Sequence, residues 1–308
     1  MRTHPKLLLL SALCLSLSAC GQSTVAPSAS TDSSAAFGAA IDRGKLGGTE
    51  ITEASGLVAS RQNPGALWTH NDSGGDPKVY LIDDRGATQS ALLLLGARNR
   101  DWEDIAVGPG PEDEETYLYV GDIGDNNARH NVKTVYRFIE PVVSKTGLDT
   151  VRKIDVLRFV YPDGPRDAET LLVDPLTKDL YVLSKRDRFV HVYRAAFPQN
   201  TETIDTLELL GQLPRPQVGI LEQLVGGDIS PDGMEVLLKS YVQMFYWQRG
   251  DNSQTLFELL QTNPQVLPYQ PEPQGEAVSF AADGSGYYTL SEEQSNIEPR
   301  LYFYPRSR

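Results

Sequence analysis

Short apolar stretches alternate with polar turns along this chain, and none keeps helical spacing long enough to predict a helix. The most regular feature is an apolar residue followed by tyrosine. Val79-Tyr80, Val135-Tyr136, Val192-Tyr193, Phe245-Tyr246 and Leu301-Tyr302 recur every 53 to 57 residues. Ahead of each copy an acid leads a short run of small or branched apolar residues, at 53–58, 103–107, 169–173, 228–230 and 276–280. Turn chemistry such as Asn63-Pro64-Gly65, Pro231-Asp232-Gly233 and Asp283-Gly284 follows. Second strands are then expected at 66–72, 117–122, 180–185, 235–241 and 287–292.

Between the copies, 89–95, 153–161, 203–210 and 255–260 read as fourth strands. Four antiparallel strands in a unit repeated at this period predict an all-β fold, a β-propeller of five blades. Six blades is the alternative, because 66 residues separate Glu103 from Glu169. The last unit ends on its tyrosine strand, so an N-terminal strand, expected at 46–52, must supply its outer edge. Closing the ring in this way removes an exposed strand edge.

The first residues look unlike the rest. Arg2 and Lys6 precede an apolar run too short to span a membrane, and Leu17-Ser18-Ala19-Cys20 resembles the bacterial lipoprotein box. The expected organisation is a signal peptide over 1–19, a lipidated Cys20 with a flexible small-residue tether over 20–35, and a single propeller domain over 36–308. An ordinary signal peptide is the alternative. The other cysteine, Cys14, falls in the removed segment, so the mature chain has no pair to form a disulfide, and stability must come from its core. With 40% hydrophobic residues the chain has the material for one.

A formal charge of −13 excludes a basic face for nucleic acid and electrostatic attachment to anionic lipid. It suits a cationic partner, above all a divalent metal.

The motifs Glu53-Ala-Ser-Gly-Leu, His70-Asn-Asp-Ser-Gly, Asp101-Trp-Glu-Asp-Ile-Ala, Gly121-Asp-Ile-Gly-Asp-Asn, Asp167-Ala-Glu and Gly227-Asp-Ile-Ser-Pro-Asp-Gly together resemble those of bacterial propeller-type proteins, many of them lipoproteins. The resemblance covers nearly the whole mature chain and implies a propeller held at the cell envelope. Its plan, though not its motifs, is also similar to that of calcium-dependent propeller hydrolases such as lactonases, phytases and apyrases.

Equivalent positions of innermost strands line the axis of a propeller. Glu53, Glu103, Glu169, Asp228 and Glu276 are therefore expected to form a carboxylate ring, and Ca²⁺, which takes six to eight oxygen ligands, is the plainest counter-charge. Asn71, Asp72, Asp104, Asp122, Asp125 and Asn126 could complete the shell or bind a ligand, or simply satisfy their own turns. Lys185 and Lys239 either grip an anionic group or pair with Glu169 and Asp228. His70, beside Asn71 and Asp72, is the general-base candidate by residue type, with Glu103 as its carboxylate counterpart. Zinc spacing, a Gly-x-Ser-x-Gly elbow and nucleotide fingerprints are absent. Two functions remain. One is an envelope-anchored binding or scaffold module engaging a protein, glycan or small anionic ligand at its rim. The other is a calcium-dependent hydrolase of esters, lactones or phosphoesters.

Overall fold

A computed structural model describes residues 36–307 apart from 49, 145, 295 and 296. The expected signal peptide, the tether and the lipidation site Cys20 lie outside the described residues. The described chain is almost entirely β, with one short helix and one 3₁₀ turn.

Five sheets, each with a four-stranded antiparallel core, form a ring of blades. Their inner strands are Ala54–Ala59, Trp102–Pro109, Ala168–Val173, Leu224–Ile229 and Gly275–Phe280. Each inner strand packs against the next, and the fifth returns to the first. Five hydrophobic clusters fill the five seams between adjacent blades. The third strands carry the repeated tyrosines. Tyr80, Tyr136, Tyr193 and Tyr246 are buried in these seams, and Tyr302 is half-buried against one. Buried phenols need partners, and Tyr136 accepts from the Arg98 amide at 3.1 Å while Tyr193 donates to Asp163 at 3.0 Å.

Closure comes from the N-terminus. Ile41–Lys45 pairs antiparallel with Arg300–Pro305 as the outer strand of blade 5, five residues earlier than the expected 46–52. The long interval between Glu103 and Glu169 does not hold a sixth blade. It contains Gly147–Val151, which adds a parallel fifth strand to blade 1 beside Thr88–Leu94. Ile204–Thr206 does the same for blade 2. The expected strand at 255–260 is the helix Leu256–Leu260, and the outer strand of blade 4 is Gln265–Leu267. Thr255 caps this helix reciprocally with Glu258, and Leu256, Leu259 and Leu260 fill the blade 3–4 seam.

The inner strands are sheet edges whose unpaired backbone groups face the axis, where each needs a partner. Side chains of the neighbouring blade supply several. Asp104 accepts from the Leu171 amide at 2.9 Å, Asp228 from the Phe280 amide at 2.8 Å, and Ser55 donates to the Glu103 carbonyl at 2.6 Å.

Candidate functional site

The same irregularity recurs in every inner strand. Ala54, Trp102, Ala168, Leu224 and Gly275 pair with Asn71, Asp122, Ser184, Ser240 and Ser291, and directly afterwards each register slips by a β-bulge. A bulge turns a side chain out of the strand's alternation. It falls on Ser55, Glu103, Glu169, Val225 and Glu276. Three of the five expected ring members thus share a position, and two do not. Glu53 sits two residues before the bulge of its strand and is exposed, while Asp228 sits three residues beyond its own. Asp228 instead ties blade 4 to blade 5, and the charge of Arg61 counters the burial that pushes its carboxyl up to about 6.

The register defines two further tiers at this mouth of the channel. Immediately before the inner strands come Glu53, Asp101, Asp167, Gln223 and Gln274. Immediately after the second strands come Asp72, Ile123, Lys185, Tyr241 and Glu292. Carboxylate oxygens of Asp72, Asp101 and Glu103 lie within 4.8 Å of one another, and so do those of Glu103, Asp167 and Glu169. Glu103 belongs to both groups.

Burial raises the pKa of Glu103 well above the usual carboxylate range, and the charge of Glu169 adds to it. Glu169 is raised in the same way by burial and then by Glu276. Burial and Asp101 push Asp72 up to about 7, while burial and Glu276 push Glu292 up to about 8. Glu53 contributes to both of these shifts from the rim. The cations that reach the cluster are fewer than its acids. Lys185 pairs with Glu169, as one of its two expected roles required, and lies 3.9 Å from Glu276. Arg186 approaches Asp167 at 2.6 Å and donates to Asn126. Tyr241 donates to Glu276 at 2.6 Å and accepts from Lys185 at 2.9 Å. Oε2 of Glu169 and Oδ1 of Asp72 stay buried without a hydrogen-bond partner. Gly124 fits only because it lacks a side chain, since a Cβ there would collide with the carboxylates of Glu103 and Asp101.

Several expected ligand residues are spoken for elsewhere. Asp122 pairs with Arg100 at 3.0 Å and accepts from the Asp101 amide, holding Asp101 in place. Asp125 pairs with Lys133 at 3.0 Å and accepts from the Arg129 and His130 amides. Asn71 braces the rim by accepting from the Thr52 and Glu53 amides. Asp104 is the tie between blades 2 and 3 described above. Lys239 does not pair with Asp228. It donates to the Gly275 carbonyl under the Tyr269 ring, and burial brings it down to about 8.

His70 is 0% exposed, packed edge-on to Trp102 at 5.7 Å between blades 1 and 2. Its Nδ1 donates to the Asn71 carbonyl at 2.9 Å, and burial pulls its pKa down to about 4. Its Nε2 is buried beside Gly56 without a hydrogen-bond partner, so the ring is enclosed between the blades, where a general base would need access to a substrate.

Asp101 and Asp167 were not among the expected site residues. Their signal was an acid two places before the bulge acid, as in Asp101-Trp102-Glu103 and Asp167-Ala168-Glu169.

No family model matches the chain, and no curated protein matches it. Among solved structures it is similar to a luciferin-regenerating enzyme at 12% identity and TM-score 0.43, covering 85% of this chain and 92% of that one. It is also similar to the WD40 repeats of RRP9 at 10% identity and TM-score 0.41, covering 85% of this chain and 97% of that one.

Proposed function

We propose that this chain is an exported, envelope-anchored propeller of the bacterial lipoprotein type that binds a divalent cation, calcium, at its carboxylate mouth and serves as a binding module. The observation that carries the cation is Glu103 shared between two carboxylate groups, with a buried oxygen of Glu169 and one of Asp72 unpartnered beside it. Buried acids without partners are costly, and a cation is the counter-charge they lack. The donors are all oxygen, with neither histidine nor cysteine among them, which suits a hard ion rather than zinc. Asp72, Asp101, Glu103, Asp167 and Glu169 would hold it.

A hydrolase is the second reading, favoured by Glu292. In the metal-free protein burial and the charge of Glu276 bring the pKa of this acid up to about 8 at the edge of the same mouth, which makes it the carboxyl group best suited there to proton transfer. Bound calcium would supply polarisation of an ester or phosphoester oxygen.

The deciding experiment follows the melting temperature of the purified protein with calcium or chelator, together with ester and phosphoester turnover. Calcium-dependent stabilisation without turnover fits the binding module. Turnover lost in Glu292→Gln with calcium binding intact fits the enzyme. No response to calcium, magnesium or manganese would remove the cation from both readings.

A further inference from the structure

The mouth is chemically lopsided. Blades 1, 2, 3 and 5 each bring at least one carboxylate to its three tiers, whereas blade 4 brings Gln223, Val225 and Tyr241. The loop joining blade 3 to blade 4 runs directly into the inner strand of this acid-free sector, and its tip is apolar. Val218, Ile220 and Leu221 are 69%, 69% and 61% exposed.

The loop is built rather than loose. Gln217 donates to the carbonyls of Lys185 and Asp187 and accepts from the Leu224 amide at 2.6 Å. Its root is thereby fixed to the backbone of Lys185, the residue that reaches into the acid cluster. Glu222 accepts from the Val218 amide at 3.1 Å, and Gly219, at φ 87°, lets the tip turn through a 3₁₀ element over Ile220–Glu222. The polar backbone is satisfied inward while three large apolar side chains face out. At the end of the loop, in the same sector, the side-chain oxygen of Gln223 is buried without a partner. Exposed apolar groups clustered beside a polar mouth mark a binding surface.

We propose that the ligand of this mouth is an amphiphile. Its oxygen-bearing head meets the cation held by blades 1 to 3, and its acyl chain or ring lies on Val218, Ile220 and Leu221. This rests on the cation reading above and adds the chemical class of the ligand. Each methylene that leaves water on such a surface strengthens binding roughly threefold. A carboxylate with a longer tail should therefore bind more tightly than a short one with the same head.

The test titrates sodium butanoate and sodium octanoate into the full protein with calcium present, and reads calcium affinity separately from the melting temperature. Wild type is expected to bind octanoate on the order of tenfold or more tightly than butanoate. Ile220→Ser with Leu221→Ser, both exposed, should erase that preference and leave the calcium response and fold unchanged. Equal affinity for the two probes, or a preference that survives the double substitution, overturns the proposal. Self-association through the tip, or sedimentation with neutral phosphatidylcholine vesicles, either of them abolished by the double substitution, would give the tip to a second copy or a bilayer and also overturn it. Loss of the calcium response in wild type with the chain-length preference retained would sink the cation reading alone.

Discussion

Glu103 and Glu169 occupy the same β-bulge in adjacent blades, and oxygens of both lie within 4.8 Å of an oxygen of Asp167. Lys185 and Arg186 answer Glu169 and Asp167, while no cation pairs with Glu103 among the described residues. Because Glu103 serves both carboxylate groups, Glu103→Gln should abolish the calcium-induced rise in melting temperature. Asp101→Asn and Asp167→Asn should each only weaken it. Without metal, Glu103→Gln should melt slightly higher than wild type as pH rises, since burial and Glu169 disfavour the ionised acid there. Differential scanning fluorimetry with and without chelator checks both arms, and an unchanged calcium response in Glu103→Gln would contradict the assignment.

Protons should substitute for the metal. Asp72 and Glu292 have folded pKa values of about 7 and 8, each raised first by burial. An acid raised in this way keeps its proton in the folded state after the unfolded chain has lost it. Stability is then greatest at or below the unfolded value and falls as pH rises toward the folded one. The metal-free melting temperature should drop by at least about 10 °C between about pH 5 and pH 8. Calcium should restore most of that loss at the upper end and little at the lower. A flat metal-free profile would contradict the directions of these shifts.

Gly124 offers a test that leaves every carboxylate in place. A methyl group there points at the Glu103 carboxylate and lies 2.6 Å from that of Asp101. Because the opposing atoms are the ends of flexible side chains, Gly124→Ala should fold. Calcium affinity should fall by roughly tenfold or more as the ligands are displaced, by analogy with losses on disturbing a metal's supporting shell. Isothermal titration measures it, and an unaltered affinity would place the ion elsewhere.

Asp174 and Arg249 join blades 3 and 4 away from the mouth, by two hydrogen bonds of 3.1 and 2.5 Å with both side chains only 1% exposed. Removing either partner strands a buried charge and should cost about 3–5 kcal/mol. Asp174→Leu combined with Arg249→Met should cost less than the sum of the two single changes. Urea unfolding of the four proteins gives the coupling, and strict additivity would show that the pair is not acting as one.

Much of the architecture was legible because it repeats. Val79-Tyr80 and its four counterparts mark the third strands, and the acid-led runs mark the inner ones. What blurred the site was the bulge. One extra residue before Asp104, Thr170 and Gly226 shifts which side chain faces the axis, and no residue type announces it. Plain strand alternation points Glu53 and Asp228 at the axis, although Ser55 and Val225 hold those positions. The helix Leu256–Leu260 reads as a strand in the sequence even though Thr255 and Glu258 carry its capping signature. Its apolar residues are too few to show a helical period. The extra parallel strands were hidden for a different reason. Gly147–Val151 belongs to blade 1 by sheet pairing but lies beyond blade 2's third strand in sequence, so its partner is distant along the chain.

Phe37 and the first residue of the closing strand meet blade 5 near Pro305 and Arg306, at the end of the barrel opposite the bulges. The ring is therefore latched at the end away from the acids, so traffic through the acid-lined bowl would leave the strand that closes the circle undisturbed.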